Sequence, residues 1–265
     1  MKPKTIVVCI KQVPETNEVT IDPQTHNLDR RGLAGIMNPF DKNAVEQALQ
    51  LADQTPAKVV LLSMGPDDYA ESLREGMAMG ADAGYLLSDR AFAGADTLAT
   101  GYVIAQAIKQ IGEVDLVLFG RQAVDADTGQ VGPIVAEFLH QPQITYAASL
   151  RLSGDNEITA ERLLEDTKQT LVAQLPAVVT VRSELNTPRY PTPRNIQLSF
   201  EKPLTIWHHD DLDLDDSRLG QAGSPTIVTK VYEPKPTKRE LTSLTGTPTE
   251  AASQLIKALK AHQLI

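Results

Sequence analysis

Short apolar runs alternate with amphipathic stretches through the first half of the chain. The apolar runs, rich in β-branched residues, occupy residues 5–13, 58–62, 84–87 and 115–119. Stretches with apolar residues at helical spacing occupy residues 42–53, 67–79, 97–111 and 131–139. Buried strands that alternate with amphipathic helices are typical of βαβ units, in which helices cover both faces of a parallel sheet. The pattern therefore predicts an α/β fold with a parallel sheet between two layers of helices.

Capping residues mark the starts of these predicted helices. Pro66 and the acidic pair 67–68 place negative charge at the positive end of the second helix. Asp96 or Thr97 can cap the third helix, and Asn38 or Asp41 can cap the first.

After residue 141 the pattern changes to strands joined by tight turns. Residues 153–156, SGDN, are a hairpin signal, and residues 175–181 indicate a last buried strand with Pro176 at its entrance. From residue 186 onward the sequence indicates weaker order, ending in an amphipathic helix from Thr249 to about His262, capped by Thr249 and Glu250. We therefore expect an α/β domain over residues 1–185 and an arm over residues 186–265 whose helix docks on a partner subunit.

The overall charge narrows the possible partners. The 265 residues carry a formal net charge of −9, which argues against non-specific binding to nucleic acid or to anionic membranes. The apolar runs are too short for a membrane span or a signal-peptide core. One cysteine, Cys9, excludes an internal disulfide and fits a reducing compartment, so we expect a cytoplasmic protein.

Polar clusters follow the predicted strands at their carboxyl ends, where open parallel sheets bind ligands. Residues 9–11 end the first strand, residues 63–65 the second, and residues 120–132 the fourth. A further polar element, NPFD at residues 38–41, enters the first helix. Four clusters at one edge of the sheet predict a binding site there.

The loop at residues 120–132, GRQAVDADTGQVG, combines glycines, Thr128 and the start of a helix. It is either a capped turn or a phosphate site, since unpaired amides and the helix dipole stabilise negative charge. Asp125 and Asp127 would oppose a bare phosphate, so a ribose contact, a backbone contact or helix capping is their expected role. Neither a Walker A motif nor G-x-G-x-x-G follows the first strand. The segment GADTLAT, residues 94–100, is either an N-cap or a second phosphate contact through Thr97 and Thr100.

The sequence carries no recognisable catalytic constellation. The five histidines lack metal-ligand spacing, and Cys9 on a buried strand is typical of a small apolar residue. We therefore expect no catalytic residue and no metal site, and interpret the chain as a binder of a nucleotide-containing molecule.

Several segments resemble the β subunit of electron-transfer flavoproteins. They are VVCIKQVPET (7–16), NPFDKNAVEQAL (38–49), EGMAMGAD (75–82), GRQAVDADTGQVGPIVAEFL (120–139), LPAVVTV (175–181), NTPRYPTPRNI (186–196) and GSPT (223–226). The resemblance implies a sandwich of the adenine-nucleotide α-hydrolase-like type and a heterodimer with an α subunit. That partner would carry most of a redox-active FAD, held partly by the C-terminal segment of this chain.

The resemblance and the polar clusters together predict which residues contact the cofactor. They are Cys9, Lys11, Asn38, Pro39, Phe40, Asp41, Met64, Gly65, Thr97, Thr100, Gln122, Ala123, Val124, Asp125, Asp127, Thr128, Gly129, Gln130, Val131 and Gly132.

The family has two branches, and the loop bears on the choice between them. Ordinary electron carriers hold AMP in the β subunit, whereas the electron-bifurcating branch holds a second FAD and has the loop D-x-D-T-x-Q-V-G-P. Residues 125–133 follow the second form, and GADTLAT is also typical of that branch. The resemblance therefore implies a FAD that takes electrons from NADH and divides them between a high-potential acceptor and ferredoxin or flavodoxin. The alternative is an AMP-holding carrier between a dehydrogenase and a quinone reductase.

The resemblance also bears on the partners. An acyl-CoA dehydrogenase-type partner is expected, but the family's docking leucine is matched here by Pro193. A different dehydrogenase partner or a different contact is therefore expected. Two other nucleotide-binding classes fit less well. A stand-alone ATP-binding stress sensor lacks an arm such as residues 186–265, and an ATP-pyrophosphatase needs a glycine- and serine-rich loop where this chain has CIKQVPET.

Overall fold

The computed structural model describes residues 3–15, 20–21, 28–29, 35–154, 156–229 and 241–265. The chain separates into two compact units, Met1–Thr229 and Lys230–Ile265. The first unit extends past residue 185, where the sequence places the domain boundary. Residues 230–240 of the predicted arm lie outside the described residues.

Strands and helices alternate in the order that the hydrophobic pattern predicts. The strands are β1 (Thr5–Cys9), β2 (Gln12–Pro14), β3 (Thr20–Ile21), β4 (Leu28–Asp29), β5 (Gly35–Met37), β6 (Lys58–Met64), β7 (Ala83–Leu87), β8 (Leu116–Gly120), β9 (Gln143–Ser153), β10 (Glu157–Leu163), β11 (Lys168–Gln174), β12 (Ala177–Val181) and β13 (Leu204–Trp207). The helices are α1 (Pro39–Ala52), α2 (Ala70–Met79), α3 (Thr97–Ile111), α4 (Val131–Leu139), α5 (Pro193–Ser199) and α6 (Pro248–Ala261). No described helix is long and apolar enough to cross a bilayer.

Within the described residues, nine strands form one sheet in the order β11-β10-β9-β12-β8-β1-β6-β7-β13. The strands from β9 to β13 in this order are parallel, and β10 and β11 extend the sheet as antiparallel strands. Strand β1 lies near the middle, with Val7 opposite Val60 on one side and Val117 on the other. The parallel part brings the carboxyl ends of β8, β1 and β6 to one edge.

Alternate residues of β1 point into two separate cores. Ile6 and Val8 pack in the core that includes residues of α1 and α2, whereas Val7 and Cys9 pack in the core that includes residues of α3 and α4. All four side chains are buried. The three-layer α/β sandwich predicted from the sequence is therefore confirmed.

Most predicted elements have the expected bounds to within a few residues. Helices α3 and α4 match the predicted ranges, and β9 and β10 pair antiparallel across the SGDN segment. The predicted first strand is interrupted at Ile10 and Lys11, which separate β1 from β2. Residues 67–69 form a 3₁₀ turn, so α2 begins at Ala70 instead of residue 67.

The expectation of weak order after Asn186 is wrong for residues 186–229. The Asn43 side chain donates to the backbone oxygen of Asn186, and the Arg189 guanidinium bonds to Glu46 and Asp53. Further on, β13 pairs with β7 at the sheet edge. The sequence did not predict this order, because a proline-rich segment has no helical or strand periodicity. The segment is held by contacts to residues that are far away along the chain.

In the second unit, α6 is capped two residues earlier than the sequence suggested. Thr247 accepts the backbone N–H of Glu250, and the Glu250 carboxylate accepts the N–H of Thr247. The predicted cap at Thr249 is therefore wrong: Pro248 stands at the first helical position, where its missing N–H costs nothing. Docking of this helix on an α subunit stays a prediction.

Candidate functional site

The predicted site residues gather at the carboxyl edge of the sheet, around β1. Cys9 and Lys11 lie at the end of β1, Met64 and Gly65 at the end of β6, and the loop 120–132 follows β8. The chain leaves β1 towards α1 on one face and leaves neighbouring β8 towards α4 on the other. Ligands of open α/β sheets bind at such a switch point, because the diverging loops leave a crevice.

The NPFD segment ties the two sides of this crevice together. Asn38 is fully buried, donates from Nδ2 to the carbonyl of Gln122 at 2.9 Å and accepts the N–H of Val124 at 3.2 Å. Asp41 accepts the N–H of Lys11 at 2.8 Å and that of Gly120 at 3.1 Å. Asn38 therefore stands at the N-cap position of α1, as predicted, but its side chain makes no cap hydrogen bond there. The side chains of Asn38 and Asp41 instead hold the loop after β8. Contact of residues 38–41 with a cofactor stays a prediction.

Burial controls the protonation of two groups beneath the loop. It raises the pKa of Asp41 to about 7, against the lowering effect of its hydrogen bonds to Asn38, Lys11 and Gly120. Burial, and then the Asp41 charge, raise the pKa of the Cys9 thiol. Cys9 is therefore a neutral thiol on a buried strand, as the sequence indicated.

The two loop carboxylates have partners within the crevice. Lys11 Nζ donates to both oxygens of Asp125, at 2.7 and 2.6 Å. Gln122 Nε2 donates to Asp127 at 2.7 Å, and Asp127 adopts a φ of 51°. Within the part of the chain that the structure describes, no amide of α4 bonds to either carboxylate, so the capping role considered for them is wrong.

The N-terminus of α4 carries unpaired backbone donors. The residue that precedes it, Gln130, makes no side-chain cap. Within the described part of the chain, the N–H groups of residues 128–132 have no acceptor. Gly132 lets this terminus approach the sheet, because a Cβ there would lie 2.6 Å from Thr180 Cγ2. The loop thus offers five successive amides at the positive end of a helix dipole, which suits an anion.

The N-terminus of α3 is closed by its own cap. Asp96 Oδ1 accepts the N–H groups of Leu98 and Ala99, and Asp96 Oδ2 accepts from the backbone and hydroxyl of Thr226. Ser224 accepts the N–H of Asp96. The N-cap interpretation of GADTLAT is therefore confirmed, with Asp96 as the capping residue.

The Thr97 side chain, at the start of α3, contacts the residue that precedes α4. Its hydroxyl donates to Gln130 Oε1 at 2.8 Å, while the Thr100 backbone N–H bonds to the carbonyl of Asp96. Because Asp96 already occupies first-turn amides of α3, the idea that both helix starts serve phosphates loses support. Direct contacts from Thr97 and Thr100 to a cofactor stay predictions.

One basic residue of the loop was missed by sequence reasoning. The Arg121 guanidinium lies over the Phe40 ring, 4.8 Å from its centroid, and its buried Nε has no partner among the described residues. Arg121 follows β8 directly, and an arginine at a strand end beside an anion-binding loop was the available signal. Its charge adds to the positive potential at this edge.

The donor set of this edge fits a phosphate-bearing nucleotide. Amides, a helix start and a basic side chain are the groups that hold phosphates in proteins. The described residues contain no cluster of three or more metal-binding side chains. The adjacent His208 and His209 lie after β13. His209 hydrogen-bonds Asp210 and Asp216, which raise its pKa to about 8.

Comparison with known proteins identifies the family. The sequence family described as the electron transfer flavoprotein domain matches residues 25–212 of this chain. Subunit CarD of the caffeyl-CoA reductase–Etf complex of Acetobacterium woodii is 45% identical, over 98% of this chain and 99% of that protein. The electron transfer flavoprotein subunit beta of Clostridium acetobutylicum is 44% identical with the same coverage. The acryloyl-CoA reductase electron transfer subunit gamma of Anaerotignum propionicum is 40% identical over 98% and 99%. The chain therefore belongs to the electron transfer flavoprotein family, among relatives of its beta subunits.

Proposed function

We propose that the chain is the β subunit of a heterodimeric electron-transfer flavoprotein and holds a FAD at the carboxyl edge of its sheet. The observation that carries this proposal is the run of five unpaired amides, residues 128–132, at the start of α4. These amides would bind phosphate oxygens, with the helix dipole adding to the attraction. When bound, the flavin would supply the electron chemistry, and the chain supplies position and electrostatics.

The bifurcating branch is the preferred form of this function. In that form electrons from NADH are divided between a high-potential acceptor, reached through the FAD of the α subunit, and ferredoxin or flavodoxin. The loop DADTGQVGP, residues 125–133, supports FAD over AMP. Relatives named as subunits of CoA-ester reductase complexes support a reductase or dehydrogenase partner. Because Asp96 caps α3, a second phosphate contact at GADTLAT gives no support for FAD over AMP, and the choice of FAD depends on the loop.

An apolar surface beside α5 is the proposed contact for the dehydrogenase-type partner. Pro193, at the place of the family's docking leucine, is the first residue of α5. Tyr190, Ile196 and Phe200 expose 94%, 47% and 68% of their surface, beside a groove of about 660 Å³ between α2 and α5. Exposed apolar side chains beside a groove are typical of protein-binding surfaces. These three residues would replace the missing leucine.

Cofactor counting on the heterodimer tests the proposal. The chain is co-expressed with its α subunit, denatured, and the released nucleotides are quantified. Two FAD per heterodimer support the bifurcating form; one FAD with one AMP refutes it and leaves the ordinary carrier; no nucleotide held by this subunit refutes both. In the first case NADH should bleach flavin absorbance, and failure to do so removes the NADH-dependent function.

A matched pair of variants tests the location of the site. Gln130→Glu adds negative charge at the start of α4, which stabilises the helix but repels phosphate. Gln169→Glu adds the same charge on the exposed edge strand β11. We expect Gln130→Glu to weaken nucleotide retention by about tenfold or more, with unchanged or higher thermal stability, and Gln169→Glu to change neither. Equal retention by both variants would place the nucleotide elsewhere.

A further inference from the structure

Tyr146 has an unusual backbone conformation for a residue inside a strand. It lies in β9 with a φ of 59°, in the left-handed region that a bulky side chain rarely adopts. The other non-glycine residues with a positive φ in the described part of the chain lie in a loop or just after a helix; they are Asp127, His140 and Gln263. Such a conformation costs free energy and persists only where the surrounding structure enforces it.

A β-bulge enforces the conformation of Tyr146. The register between β12 and β9 shifts here, so that residues 145–146 of β9 stand opposite Thr180 alone. The Thr180 side chain is buried, and its Oγ1 accepts the backbone N–H of Tyr146 at 3.1 Å. Bulges near binding sites change the direction in which a side chain points. The direction of the Tyr146 side chain is therefore the feature to explain.

That side chain reaches the unpaired amides at Gly129. The Tyr146 hydroxyl oxygen lies 3.8 Å from the position that a Cβ of Gly129 would occupy. Gly129 has a φ of 60°, whereas the next residue, Gln130, has a φ of −101°. A change from left-handed to right-handed backbone turns successive N–H groups towards one side and makes a concave anion site. Tyr146 therefore lies beside the residue at which the amides converge.

Two further contacts fix Tyr146 relative to the loop. Thr180, which holds Tyr146 through its hydroxyl, has its Cγ2 2.6 Å from the position that a Cβ of Gly132 would occupy. On its other side, the Cβ position of Gly129 lies 3.3 Å from the backbone oxygen of Arg121. Gly129 is thus enclosed between Arg121 and Tyr146, and the bulge shares one buried residue with the start of α4.

We infer that Tyr146 is a positioning residue that acts on the nucleotide through Gly129. Glycine has the widest range of backbone conformations, and the Tyr146 ring restricts Gly129 to the one in which the amides of residues 128–132 converge on a phosphate. This inference rests on the proposed nucleotide site. It requires no contact between Tyr146 and the nucleotide.

Binding measurements on three proteins test this role. The αβ heterodimer is stripped of nucleotide, and the dissociation constant of AMP is measured for wild type, Tyr146→Gly and Tyr146→Phe. Tyr146→Gly removes the ring but tolerates a positive φ, and it should weaken AMP binding by about tenfold or more. Tyr146→Phe keeps the ring and should stay within about threefold of wild type. Unchanged binding by Tyr146→Gly, or binding by Tyr146→Phe as weak as that by Tyr146→Gly, would overturn the inference.

His140→Gly is the matched control. His140 has a φ of 53° at the other end of α4, so the substitution relieves the same kind of backbone strain away from the amides. It should leave the dissociation constant of AMP unchanged. If Tyr146→Gly does not fold, Tyr146→Asn takes its place with the same expected result, because asparagine also tolerates a left-handed backbone.

Hydrogen exchange at saturating AMP separates positioning from a purely structural role. Bound phosphate should slow exchange of the amides of residues 128–132 in wild type and in Tyr146→Phe. In Tyr146→Gly these amides should stay fast although the site is fully occupied, and wild-type protection there would overturn the inference. Wild-type protein that binds neither AMP nor FAD overturns the proposed function and this inference together. Wild-type binding and protection that Tyr146→Gly retains overturn the inference alone.

Discussion

Asp41 shows how one buried side chain organises the binding edge. Its two oxygens accept backbone N–H groups from the ends of β1 and β8, which holds neighbouring strands at a fixed separation. Gly120 makes this approach possible, since a Cβ there would lie 2.3 Å from Asp41 Oδ1. The loop therefore depends on a buried carboxyl whose charge is sensitive to pH.

The raised pKa of Asp41 predicts a pH dependence of stability. Its pKa is about 7 in the folded protein and about 4 in an unfolded chain, so the folded state binds more protons between these values. The free energy of unfolding should therefore fall as pH rises from about 4 to about 7, by up to about 1.4 kcal/mol per unit from this group. Urea unfolding measured between about pH 4 and about pH 7 should show this fall in the free energy of unfolding for wild type but not for Asp41→Asn. Asp127→Asn, at an exposed carboxyl group, is the control and should keep the pH dependence of wild type. An Asp41→Asn variant with the same pH dependence as wild type would contradict the assignment of that dependence to Asp41.

A side chain at residue 132 should destabilise the protein unless residue 180 is made smaller. Gly132→Ala places a methyl group 2.6 Å from Thr180 Cγ2 and should lower the free energy of unfolding by about 1–3 kcal/mol. Thr180→Ser removes that methyl and keeps the hydroxyl that accepts the N–H of Tyr146. Denaturant unfolding should show the double variant recovering most of the loss. A Gly132→Ala protein as stable as wild type would show that α4 can move away from the sheet.

At the scale of elements, the starts of α3 and α4 differ although they are neighbours. The first turn of α3 is satisfied by Asp96, whereas the start of α4 leaves its amides unpaired. Close packing of the two helices at Gly101, where a Cβ would lie 2.4 Å from Ile134 Cγ2, keeps the starts adjacent. A helix dipole alone therefore does not identify a phosphate site; the first-turn amides must also be free to bind a ligand.

The α3 cap should couple energetically to the segment that ends the first unit. Asp96→Ala should cost about 1–2 kcal/mol of stability through loss of the cap. Thr226→Val removes the hydroxyl bond to the same carboxylate. Thermal or urea unfolding of both single variants and the double variant should give a coupling energy of about 0.5–1.5 kcal/mol. As a control, Thr226→Val combined with Thr192→Ala, which removes the side-chain cap of α5, should be additive, because the two side chains share no partner. Additive losses for Asp96 and Thr226 would show that the bond contributes no stability.

At the scale of the whole molecule, the chain combines a large α/β unit with a short C-terminal unit. The first unit has its own two cores on either side of the sheet. The second unit contains α6, whose Leu255 and Ile256 are half exposed. A helix with exposed apolar residues is typical of a segment that binds a partner.

Truncation after residue 229 should separate folding from assembly. We expect the shortened chain to unfold within a few degrees of the full chain, because its cores are intact, and to lose association with the α subunit in size-exclusion chromatography. Leu255→Ser with Ile256→Ser in the full chain should weaken association without changing the unfolding temperature of the first unit. A truncated chain that still forms the heterodimer would show that α6 is not required.

The sequence was sufficient where local pattern and burial agree. The helices α3 and α4 follow from their periodicity, because each buries one face against the sheet. The strands β6, β7 and β8 follow from short apolar runs, because both of their faces are largely buried. It was insufficient for β13, which lies at the sheet edge after a proline-rich segment and gains order from pairing with β7. Caps were also ambiguous, since several residue types can cap and only the fold brings the alternative partners near.

The sequence by itself therefore determined the α/β class, the order of the main elements, the family resemblance and the edge of the sheet at which polar residues gather. The tertiary structure decided which polar groups are already satisfied. Asn38 and Asp41 bind the loop, Asp96 closes α3, and Lys11 pairs with Asp125. The physical reason is that periodicity is a property of consecutive residues, whereas hydrogen-bond satisfaction depends on partners that only folding brings within about 3 Å.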